Sequence, residues 1–565
     1  MFRCLKLGKR NESEEMRKVT KNIKMGERYK LAALAMPRRQ SLLYTKIRIM
    51  ALAVLAGGLS TSALEVHFLQ HGETTWDRSK IVQGSIPYVR LTLQGVRMAE
   101  DTAKGMKTEN IRYDRIYASN LLRAYRTAEI VAEAQGTKPI VDTRLREMGM
   151  GKYEGVRYAK DEHPDDNLKN FFEGIGPYVP SGAGAESMDE VEARLKSFLD
   201  EVVRPLDGKV DKILCVTHPQ VLKALVGMFA GDKASETVKN PIQRNCCVHV
   251  LDYKDGGFSV KEMGRIYYDA KAFETLQEPM MVAHRGFGDR GWGRAEASKP
   301  GYSNAVDTVC DVVKLDLRCT KDGVIVLNHD GNLKRTMGWN VNITNVTYTE
   351  LYEKGRYRYN KWKQRTPLDM RIVRLDEALE ILRPAPQFWV DFKYFAPEFA
   401  DKVVQTFRDA KIDLSRVMVA TFTEKALVHF KEKYPSIRRI SHIFWKYHPE
   451  LNIYAKLKPG QTPDAPFING MPAGRFTTRE KLLSGLVDYI KKHGLYGVHL
   501  PRSQSTAEDV TYLRSHGVKW VSLYFVQETE QALAVRSWGV DGFVTDCVTK
   551  VRMAYGNSEE TTGTK

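Results

Sequence analysis

Cysteine is scarce in this chain, which has seven cysteines among 565 residues. They are Cys4, Cys215, Cys246, Cys247, Cys310, Cys319 and Cys547. Their spacing matches neither a disulfide framework nor a zinc site, so a small fold held together by either is excluded. Cys215 and Cys547 stand in apolar runs and are expected in the core, while a disulfide between Cys310 and Cys319 is left open.

Long hydrophobic runs are equally rare. The apolar run Ile49 to Leu59 is too short for a comfortable membrane span. Basic residues precede it at 38–48 and Ser-Thr-Ser-Ala follows it at 60–63, which is the order of a secretory signal peptide. We therefore expect a secreted or periplasmic protein with no stable membrane span after signal cleavage. Residues 1–35 are either an upstream misreading of the gene, with Met36 as the true start, or a cytoplasmic leader.

A nucleic-acid recognition motif, an internal repeat and a low-complexity tract are all absent from the sequence. The formal net charge is +18, but residues 1–48 alone carry +10 of it. The remaining +8 is a mild surplus that suits anionic substrates. Nucleic acid is therefore not expected as a partner, since charge without a recognition motif supports it only weakly.

What the sequence does contain is organised around residues 312–330, VVKLDLRCTKDGVIVLNHD. Lys314 and Asp316 are two residues apart in an apolar run, and in a strand such residues point to the same side. Lys-Asp-Gly at 321–323 predicts a tight turn, after which a second apolar run leads to His329. A cation, a carboxylate and a histidine are thereby brought together. The plain alternative is a hairpin with a solvated polar face.

Further short apolar or β-rich runs flank this stretch on both sides. They are 280–286, 388–393, 417–422, 438–444, 497–501, 519–525 and 540–546. Together with the first stretch they make eight runs, most of them separated by segments of helical character, and they predict a (β/α)8 barrel. Chemistry in that fold sits at the carboxyl ends of the strands, where His284, Asp316 and Asp391 all fall.

The barrel residues resemble the glycerophosphodiester phosphodiesterase family. The matching pieces are His-Arg-Gly at 284–286, residues 315–330, Leu-Lys-Arg-Thr at 333–336, Val-Asp-Phe-Lys at 390–393 and residues 539–546. The resemblance implies that His284 and His329 act as general acid and base. The implied ligands of a divalent cation, Ca²⁺ or Mg²⁺, are Asp316, Asp391 and Glu296, and the implied substrate contact is Arg285.

The chain departs from this family at the centre of the site. Lys314 stands where the family has the Glu of its Glu-x-Asp pair, and Asp391 stands where a Glu is usual. An ammonium at a ligand position weakens the binding of a hard divalent cation. Lys314 should stay protonated beside Asp316 and offset the phosphate charge itself, as a basic side chain does in the similar bacterial phosphatidylinositol-specific phospholipases C. The alternative is that the carboxylates still hold Ca²⁺ or Mg²⁺, with Lys314 turned aside.

A second constellation precedes the barrel, in residues 64–265. A strand-like run ends at His71, and two later junctions between a strand and a helix carry Arg123 and His218. Glu147 lies on a segment between them. Because helix N-termini offer free N–H donors, histidines and an arginine at such junctions predict an anion site.

These motifs resemble the histidine phosphatase superfamily, which has the phosphoglycerate mutase-like fold. The resemblance implies that His71 is the phosphate-accepting nucleophile and Glu147 the proton donor. It also implies that Arg123 and His218 bind the phosphoryl oxygens and that no cofactor is needed. Gln70 takes the substrate-binding position of the family's Arg in Arg-His-Gly, where a neutral amide replaces two charged donors. That exchange is expected to cost roughly 2–4 kcal/mol of transition-state stabilisation.

The sequence thus predicts an α/β protein, with an N-terminal three-layer α/β/α histidine phosphatase fold followed by a (β/α)8 TIM barrel. The predicted boundaries are 1–63 for leader and signal peptide, 64–267 for the phosphatase domain, 268–279 for a linker, 280–553 for the barrel and 554–565 for a polar tail. The predicted function is a secreted bifunctional phosphoesterase acting on small phosphoesters such as glycerophosphodiesters. The alternative is a binding or regulatory protein in which Gln70 and Lys314 mark degenerate sites. The oligomeric state is left open.

Overall fold

The computed structural model describes residues 63–158, 165–173, 178–230, 244–270, 278–286, 295–358, 370–443, 446–448, 453–455 and 478–557. The leader and signal peptide predicted for residues 1–63 lie outside these ranges except for Ala63. The same holds for residues 271–277 of the predicted linker and 558–565 of the predicted tail. The described residues from Leu64 onward group into one compact unit.

The first domain is built on a mixed sheet. Its strands are β1 (Leu64–Gln70), β2 (Arg115–Ala118), β3 (Ile140–Val141), β4 (Lys212–Thr217), β5 (Val248–Lys254) and β6 (Gly257–Arg265). The six strands lie in the order β3-β2-β4-β1-β5-β6. The first four in that order are parallel, whereas β5 and β6 run antiparallel to their neighbours. Parallel strands joined through helices are typical of an α/β fold.

Helices cover both faces of this sheet. They are α1 (Thr75–Arg78), α2 (Leu93–Thr108), α3 (Leu122–Ala134), α4 (Asp166–Glu173), α5 (Met188–Phe198) and α6 (Pro219–Ala230). Successive strand residues point to opposite faces, so β1 contributes to two cores. Val66 and Phe68 share a core with Leu195 of α5, and Leu69 shares the other core with Ala103 of α2. The predicted three-layer arrangement is confirmed.

The second domain contains a closed barrel. Its strands are β7 (Met280–Ala283), β8 (Val312–Cys319), β9 (Ile325–Leu327), β10 (Val373–Arg374), β11 (Gln387–Phe392), β12 (Val417–Thr421), β13 (Arg438–His442), β14 (Lys446–His448), β15 (Ile453–Ala455), β16 (Gly497–Pro501), β17 (Trp520–Tyr524) and β18 (Gly542–Thr545). Eight of them pair in parallel in the order β7-β8-β11-β12-β13-β16-β17-β18, and β18 returns to β7. The predicted eight-stranded barrel is therefore confirmed.

Two short antiparallel pairings are added to the barrel strands. β9 pairs with β8 in the hairpin that the turn at 321–323 predicts, and β10 extends it. β14 and β15 form a separate two-stranded sheet. His329 follows β9, which is paired with β8 through this turn. The hairpin therefore brings His329 beside β8.

Helices surround the barrel. They are α7 (Lys299–Asp307), α8 (Lys334–Met337), α9 (Tyr348–Lys354), α10 (Leu375–Ile381), α11 (Pro397–Asp409), α12 (Glu424–Lys433), α13 (Arg479–His493), α14 (Ala507–Ser515), α15 (Thr529–Ser537) and α16 (Val548–Asn557). The sequence of α11 explains its packing, since Phe399, Val403 and Phe407 recur at helical spacing and are buried. Within the described ranges, no helix is both long and apolar enough to cross a membrane.

Three details of the chain differ from the sequence-based predictions. Cys310 and Cys319 are both free thiols, so the disulfide that the sequence left open between them is not formed. Tyr268, at the start of the predicted linker, is buried and donates a hydrogen bond to the Asn245 carbonyl at 2.7 Å. The last helix continues to Asn557 with Tyr555 fully buried, so the first four residues of the predicted tail are helical.

The first domain contacts the barrel at the amino ends of its strands. Arg78 of α1 forms ion pairs with Glu278 at 3.0 Å and Asp311 at 3.5 Å, residues that precede β7 and β8. Arg552 of α16 completes the cluster with Asp311 at 2.9 Å. Each buried charge is thereby compensated, which a buried ion cluster requires. Trp76 adds a hydrogen bond from its Nε1 to the Pro384 carbonyl at 3.2 Å.

Candidate active sites

His71 and His218 lie together at the carboxyl ends of β1 and β4. Their ring centroids are 5.2 Å apart, and both side chains are buried. His71 Nδ1 is 2.8 Å from the Gly72 carbonyl, which accepts only, so the proton is on Nδ1 and the lone pair is on Nε2. Burial lowers the pKa of His71 to about 4, with an opposing contribution from the Asp77 carboxylate. A neutral imidazole with a free Nε2 lone pair is the form that attacks phosphorus.

Glu147 is buried and lies within electrostatic range of Arg123. Its Oε1 accepts hydrogen bonds from the backbone N–H of Met148 at 2.8 Å and of Gln220 at 3.2 Å. Burial nevertheless raises the pKa of the Glu147 carboxyl, because taking the charged form out of water outweighs those bonds. The environment therefore favours the protonated form that a general acid needs.

Arg123 lies near the start of α3 and is anchored by the backbone. Its Nη1 donates to the Ile86 carbonyl at 2.9 Å and its Nη2 to the Gly84 carbonyl at 2.7 Å. Its Nε is buried and has no partner among the described residues. Burial lowers the pKa of the guanidinium to about 10, which still leaves it charged at neutral pH. The carbonyls fix the guanidinium as a stationary positive charge near His71.

Gln70 does not replace the missing arginine. Its side chain is buried, and the polar contact it makes is with the Cys247 thiol, whose Sγ is 3.9 Å from Gln70 Oε1. The His218 ring is held by the Ser119 hydroxyl at 2.8 Å from Nε2, and its Nδ1 has no partner in the described part of the chain. Position 70 thus contributes no guanidinium to the site, and Arg123 is the arginine of the family motif that is present.

In the barrel, Lys314 lies between the two carboxylates predicted as metal ligands. Its Nζ contacts Asp316 and is 2.8 Å from Asp391 Oδ2. Lys393, at the end of β11, is also 2.8 Å from Asp391 Oδ2 and 3.4 Å from Asp316 Oδ1. All four side chains are largely buried, so two ammonium groups offset two carboxylates in a small volume. Lys314 and Lys393 together hold the pKa of Asp316 well below its usual range, against the effect of burial.

This donor set does not fit a hard divalent cation. Glu296, the third predicted ligand, is instead paired with Arg285 at 3.0 Å and with Arg335. Across the described ranges, no three His, Cys, Asp or Glu side chains come together as a metal site. Ca²⁺ and Mg²⁺ need several oxygen ligands, and here the oxygens of Asp316 and Asp391 already face ammonium groups.

The two histidines of the barrel each pair with a carboxylate. His284 Nδ1 is 3.0 Å from Asp546 Oδ1, and His329 Nδ1 is 2.7 Å from Asp330 Oδ1. Since a carboxylate only accepts, the proton lies on Nδ1 in each case and Nε2 is the titrating nitrogen. Gln527 Nε2 holds the other oxygen of Asp546 at 3.0 Å, so the first of these pairs is itself anchored. Each ring is thus oriented by its carboxylate, which leaves Nε2 able to take up or release a proton.

A cavity of about 140 Å³ joins these groups. Its charged lining consists of His284, Arg285, Lys314, His329, Asp391 and Lys393. The rest of its lining consists of Phe422, His442, His499, Tyr524, Phe525 and Val544. Burial keeps His442 neutral by lowering its pKa to about 3, and Trp389 donates a hydrogen bond to its Nε2 at 3.2 Å. The cavity therefore combines cationic groups suited to phosphate with aromatic side chains suited to an organic substituent.

Several of these groups were not predicted from the sequence. Lys393 follows Asp391 by two residues, so strand parity could have found it. Asp546 lies at the carboxyl end of the last apolar run, just as His284 lies at the carboxyl end of the first, so the same rule could have found it. His442 and His499 read as ordinary strand residues, and only closure of the barrel brings them to the cavity.

Comparison with known proteins assigns both domains to families. Residues 66–265 match the model of the histidine phosphatase superfamily (branch 1), and residues 284–550 match that of the glycerophosphoryl diester phosphodiesterase family. The probable phosphoglycerate mutase GpmB of Yersinia enterocolitica serotype O:8 / biotype 1B is 31% identical over 223 residues, which is 38% of this chain and 99% of that protein. The protein of the same name from Enterobacter sp. strain 638 is 31% identical over 226 residues, with the same coverage of 38% and 99%.

Solved structures resemble each half of the chain. An Oleispira antarctica phosphodiesterase in complex with the product sn-glycerol-3-phosphate is 18% identical with a TM-score of 0.38, covering 50% of this chain and 99% of that one. A protein described as mycobacterial hydrolase 2 is 23% identical with a TM-score of 0.33, covering 38% of this chain and 96% of that one.

The two folds, each with a histidine site beside fixed cations, define a hydrolase directed at phosphoesters. The chain belongs to the histidine phosphatase superfamily through its first domain and to the glycerophosphoryl diester phosphodiesterase family through its second. Both are hydrolase families, so the chain is an enzyme whose domains support phosphatase and phosphodiesterase activity.

Proposed function

We propose that this chain is a bifunctional phosphoesterase in which the barrel hydrolyses a phosphodiester and the first domain hydrolyses a phosphomonoester through a phosphohistidine. The observation that carries the proposal is the same in both domains. Each places a histidine with its proton fixed on Nδ1 beside cationic side chains, His71 with Arg123 and His284 with Lys314. Such a pair supplies a base or nucleophile together with charge compensation for phosphate.

In the barrel, we assign the proton transfers to His284 and His329. One histidine removes the proton of the attacking hydroxyl, which belongs to water or to the substrate itself, and the other protonates the leaving alcohol oxygen. Each transfer is worth roughly 10²–10⁴-fold in rate. Arg285, Lys314 and Lys393 line the same cavity and would offset the charge on the non-bridging oxygens. The site would then act without a divalent cation, and it suits substrates that carry an internal hydroxyl nucleophile.

The test of this mechanism compares EDTA treatment with substitution of Lys314. Diesterase activity should survive EDTA and be lost in Lys314→Ala, while Lys425→Gln, an exposed lysine of α12, should leave it unchanged. Activity that EDTA abolishes and that Ca²⁺ or Mg²⁺ restores would show instead that Asp316 and Asp391 bind a metal. Absence of turnover on any diester under both conditions would favour a degenerate, regulatory barrel.

In the first domain, His71 Nε2 would attack the phosphorus atom and Glu147 would protonate the departing alcohol oxygen. Water then attacks the phosphohistidine, which releases phosphate and restores the neutral histidine. Brief mixing with a ³²P-labelled phosphomonoester should give acid-labile, alkali-stable label on the wild-type chain and none on His71→Ala. Label retained in His71→Ala would exclude this role for the histidine.

The substrate class and the order of action belong to the same proposal. Attack of water on a glycerophosphodiester in the barrel would give glycerol phosphate and the free alcohol, and the first domain would hydrolyse glycerol phosphate to glycerol and phosphate. The support is the covalent pairing of a diesterase and a phosphatase family in one chain.

Export is proposed from the residues at 38–63, and mass spectrometry of the exported protein should find an N-terminus near Leu64. An intact N-terminus on exported protein would contradict it.

A further inference from the structure

His442 and His499 belong to the lining of the barrel cavity, and the proton transfers assigned above use neither of them. The two residues are paired in register on the neighbouring strands β13 and β16, and their ring centroids are 5.0 Å apart. Both side chains are buried. Polar groups in such a position orient a ligand and give a pocket its specificity.

The proton of His442 is on Nδ1. Trp389 Nε1 can only donate, and it gives its hydrogen bond to His442 Nε2 at 3.2 Å, so Nε2 carries the lone pair. Burial lowers the pKa of His442 to about 3, which keeps the ring neutral near pH 7. In the described part of the chain, Nδ1 has no hydrogen-bond partner. His442 therefore offers the cavity a neutral donor.

His499 offers the complementary group. Its Nδ1 is 2.9 Å from the Ser522 hydroxyl, which donates its own hydrogen to the Val498 carbonyl at 3.3 Å. The hydroxyl therefore accepts from Nδ1–H, and the lone pair of His499 is on Nε2. Burial holds the pKa of His499 well below its usual range, so this ring is neutral too. Nε2 has no hydrogen-bond partner among the described residues and is a neutral acceptor.

The surroundings of these two rings are largely aromatic. The His499 ring lies 4.6 Å from the Trp389 ring and 4.8 Å from the Tyr524 ring, measured between centroids. The His442 ring lies 4.7 Å from the Phe422 ring. A donor and an acceptor in such surroundings discriminate strongly between ligands, because a bound group that leaves them unpaired costs their desolvation.

The two nitrogens select among the groups that a diester can present. A hydroxyl both donates and accepts, so it can pair with His499 Nε2 and with His442 Nδ1, through one oxygen or through two neighbouring ones. An ether or phosphate oxygen only accepts and leaves Nε2 unpaired, while an alkyl chain leaves both nitrogens unpaired. His499 is also within electrostatic range of His284, so a hydroxyl bound there lies near the reacting phosphate.

We infer that His442 and His499 are specificity-determining residues that bind a hydroxyl group on an ester arm of the phosphodiester. The inference rests on the diesterase function proposed above and narrows its substrate class. The barrel takes diesters of a polyhydroxy alcohol, such as glycerol, in preference to diesters whose arms carry no hydroxyl.

Two diesters that differ only in their hydroxyl groups test this inference on the full chain. Glyceryl 4-nitrophenyl phosphate carries the hydroxyls, propyl 4-nitrophenyl phosphate lacks them, and both release 4-nitrophenol when the phosphorus is attacked. The wild-type chain should prefer the glyceryl diester by roughly 10²-fold or more in kcat/KM, since a site built to bind a hydroxyl rejects the analogue without it. Equal values for the two diesters would overturn the inference.

Substitution of each histidine tests the assignment. His499→Phe and His442→Phe keep an aromatic ring and remove its nitrogens. Each should lower kcat/KM for the glyceryl diester roughly tenfold or more and leave that for the propyl diester nearly unchanged, which also shows that the variant is folded. His516→Phe makes the same exchange at an exposed position after α14 and should change neither. A preference that survives in both cavity variants would show that other residues recognise the hydroxyl.

Hydrogen exchange separates failure of this inference from failure of the proposed diesterase function, and it decides the case in which neither diester turns over or a cavity variant is inactive on both. It is measured on the His71→Ala chain, so that the first domain does not consume the ligand. sn-Glycerol 3-phosphate should slow exchange in peptides covering 438–443 and 497–501 at a roughly tenfold lower concentration than propyl phosphate. Equal slowing by the two ligands, or none in these peptides, would overturn the inference whether or not the barrel is a diesterase.

Discussion

At the scale of single residues, the first domain is governed by two groups whose pKa values burial moves in opposite directions. As the proposed nucleophile, His71 would have to be neutral, and its pKa is lowered to about 4. As the proposed proton donor, Glu147 would have to be protonated, and burial raises its pKa. Burial therefore widens the pH range in which both groups are in their working forms.

The resulting prediction concerns the pH profile of phosphomonoesterase kcat/KM. Protonation of His71 should produce an acid limb near pH 4, and ionisation of Glu147 should produce the limb at higher pH. In Glu147→Gln the second limb should disappear and kcat should fall by roughly 10²–10⁴-fold, the usual loss of one general acid. An acid limb near the ordinary histidine value would show that His71 is not buried in the working enzyme.

Gln70 supports a second prediction at this scale. Replacing it by Arg restores a charged, two-pronged donor beside His71, and one such donor is worth roughly 10²–10³-fold in kcat. Gln70→Arg should therefore raise phosphomonoesterase kcat, whereas Gln70→Met, which keeps the length and stays uncharged, should not. Equal rates in the two variants would mean that phosphate binding is not what limits this site.

At the scale of elements, the start of α2 is packed against the loop that follows His71. A Cβ on Gly95 would lie 2.0 Å from the Glu73 carbonyl oxygen, and a Cβ on Gly72 would lie 2.3 Å from the Gly95 carbonyl oxygen. Only glycine allows this approach of the two backbones. The position of His71 thus depends on a residue more than twenty positions along the chain.

Gly95→Ala should consequently shift residues 72–73 and lower phosphomonoesterase kcat by tenfold or more, since roughly 1 Å of misplacement has effects of up to about 10²-fold. Diesterase activity, measured on the same preparation, should be unchanged. Gly257→Ala is the control, because a Cβ there would meet nothing nearer than 3.9 Å. Loss of both activities would indicate unfolding rather than a local shift.

The strands and the hairpin of the barrel also explain which residues of its candidate site can be predicted from the sequence. Strand parity puts Lys314 and Asp316 on one side of β8, and the hairpin turn returns His329 to them, so local rules suffice for that group. The parallel register of β8 and β11 brings Asp391 opposite Asp316. His442, His499 and the part of the cavity that they line depend on closure of the barrel, and the ion cluster of Arg78 depends on docking between domains. Neither event leaves a periodic signal in the sequence.

At the scale of the whole molecule, several buried histidines make stability depend on pH. Burial lowers the pKa of His67, His71 and His249 to about 4 and that of His442 to about 3. Between the ordinary value of 6.5 and these values, the unfolded chain binds protons that the folded chain does not. The free energy of unfolding should therefore fall as the pH drops through this window.

Urea unfolding at a series of pH values checks this expectation. The stability should decline from about pH 6.5 toward pH 4, before the ordinary carboxylates titrate. His249→Gln removes one buried histidine outside both candidate sites and should make the decline shallower. A stability that is flat over this range, or an unchanged slope in His249→Gln, would contradict the assignment of neutral buried histidines.

The docking of the first domain on the amino ends of the barrel strands has a kinetic consequence. Glycerol phosphate made at the carboxyl ends would leave on the side of the barrel away from the first domain, so we expect the intermediate to diffuse through bulk solvent between the two sites. Phosphate release from a glycerophosphodiester should then begin with a lag, and an added enzyme that consumes glycerol phosphate should intercept nearly all of it. Release without a lag, resistant to such a trap, would require direct transfer between the domains.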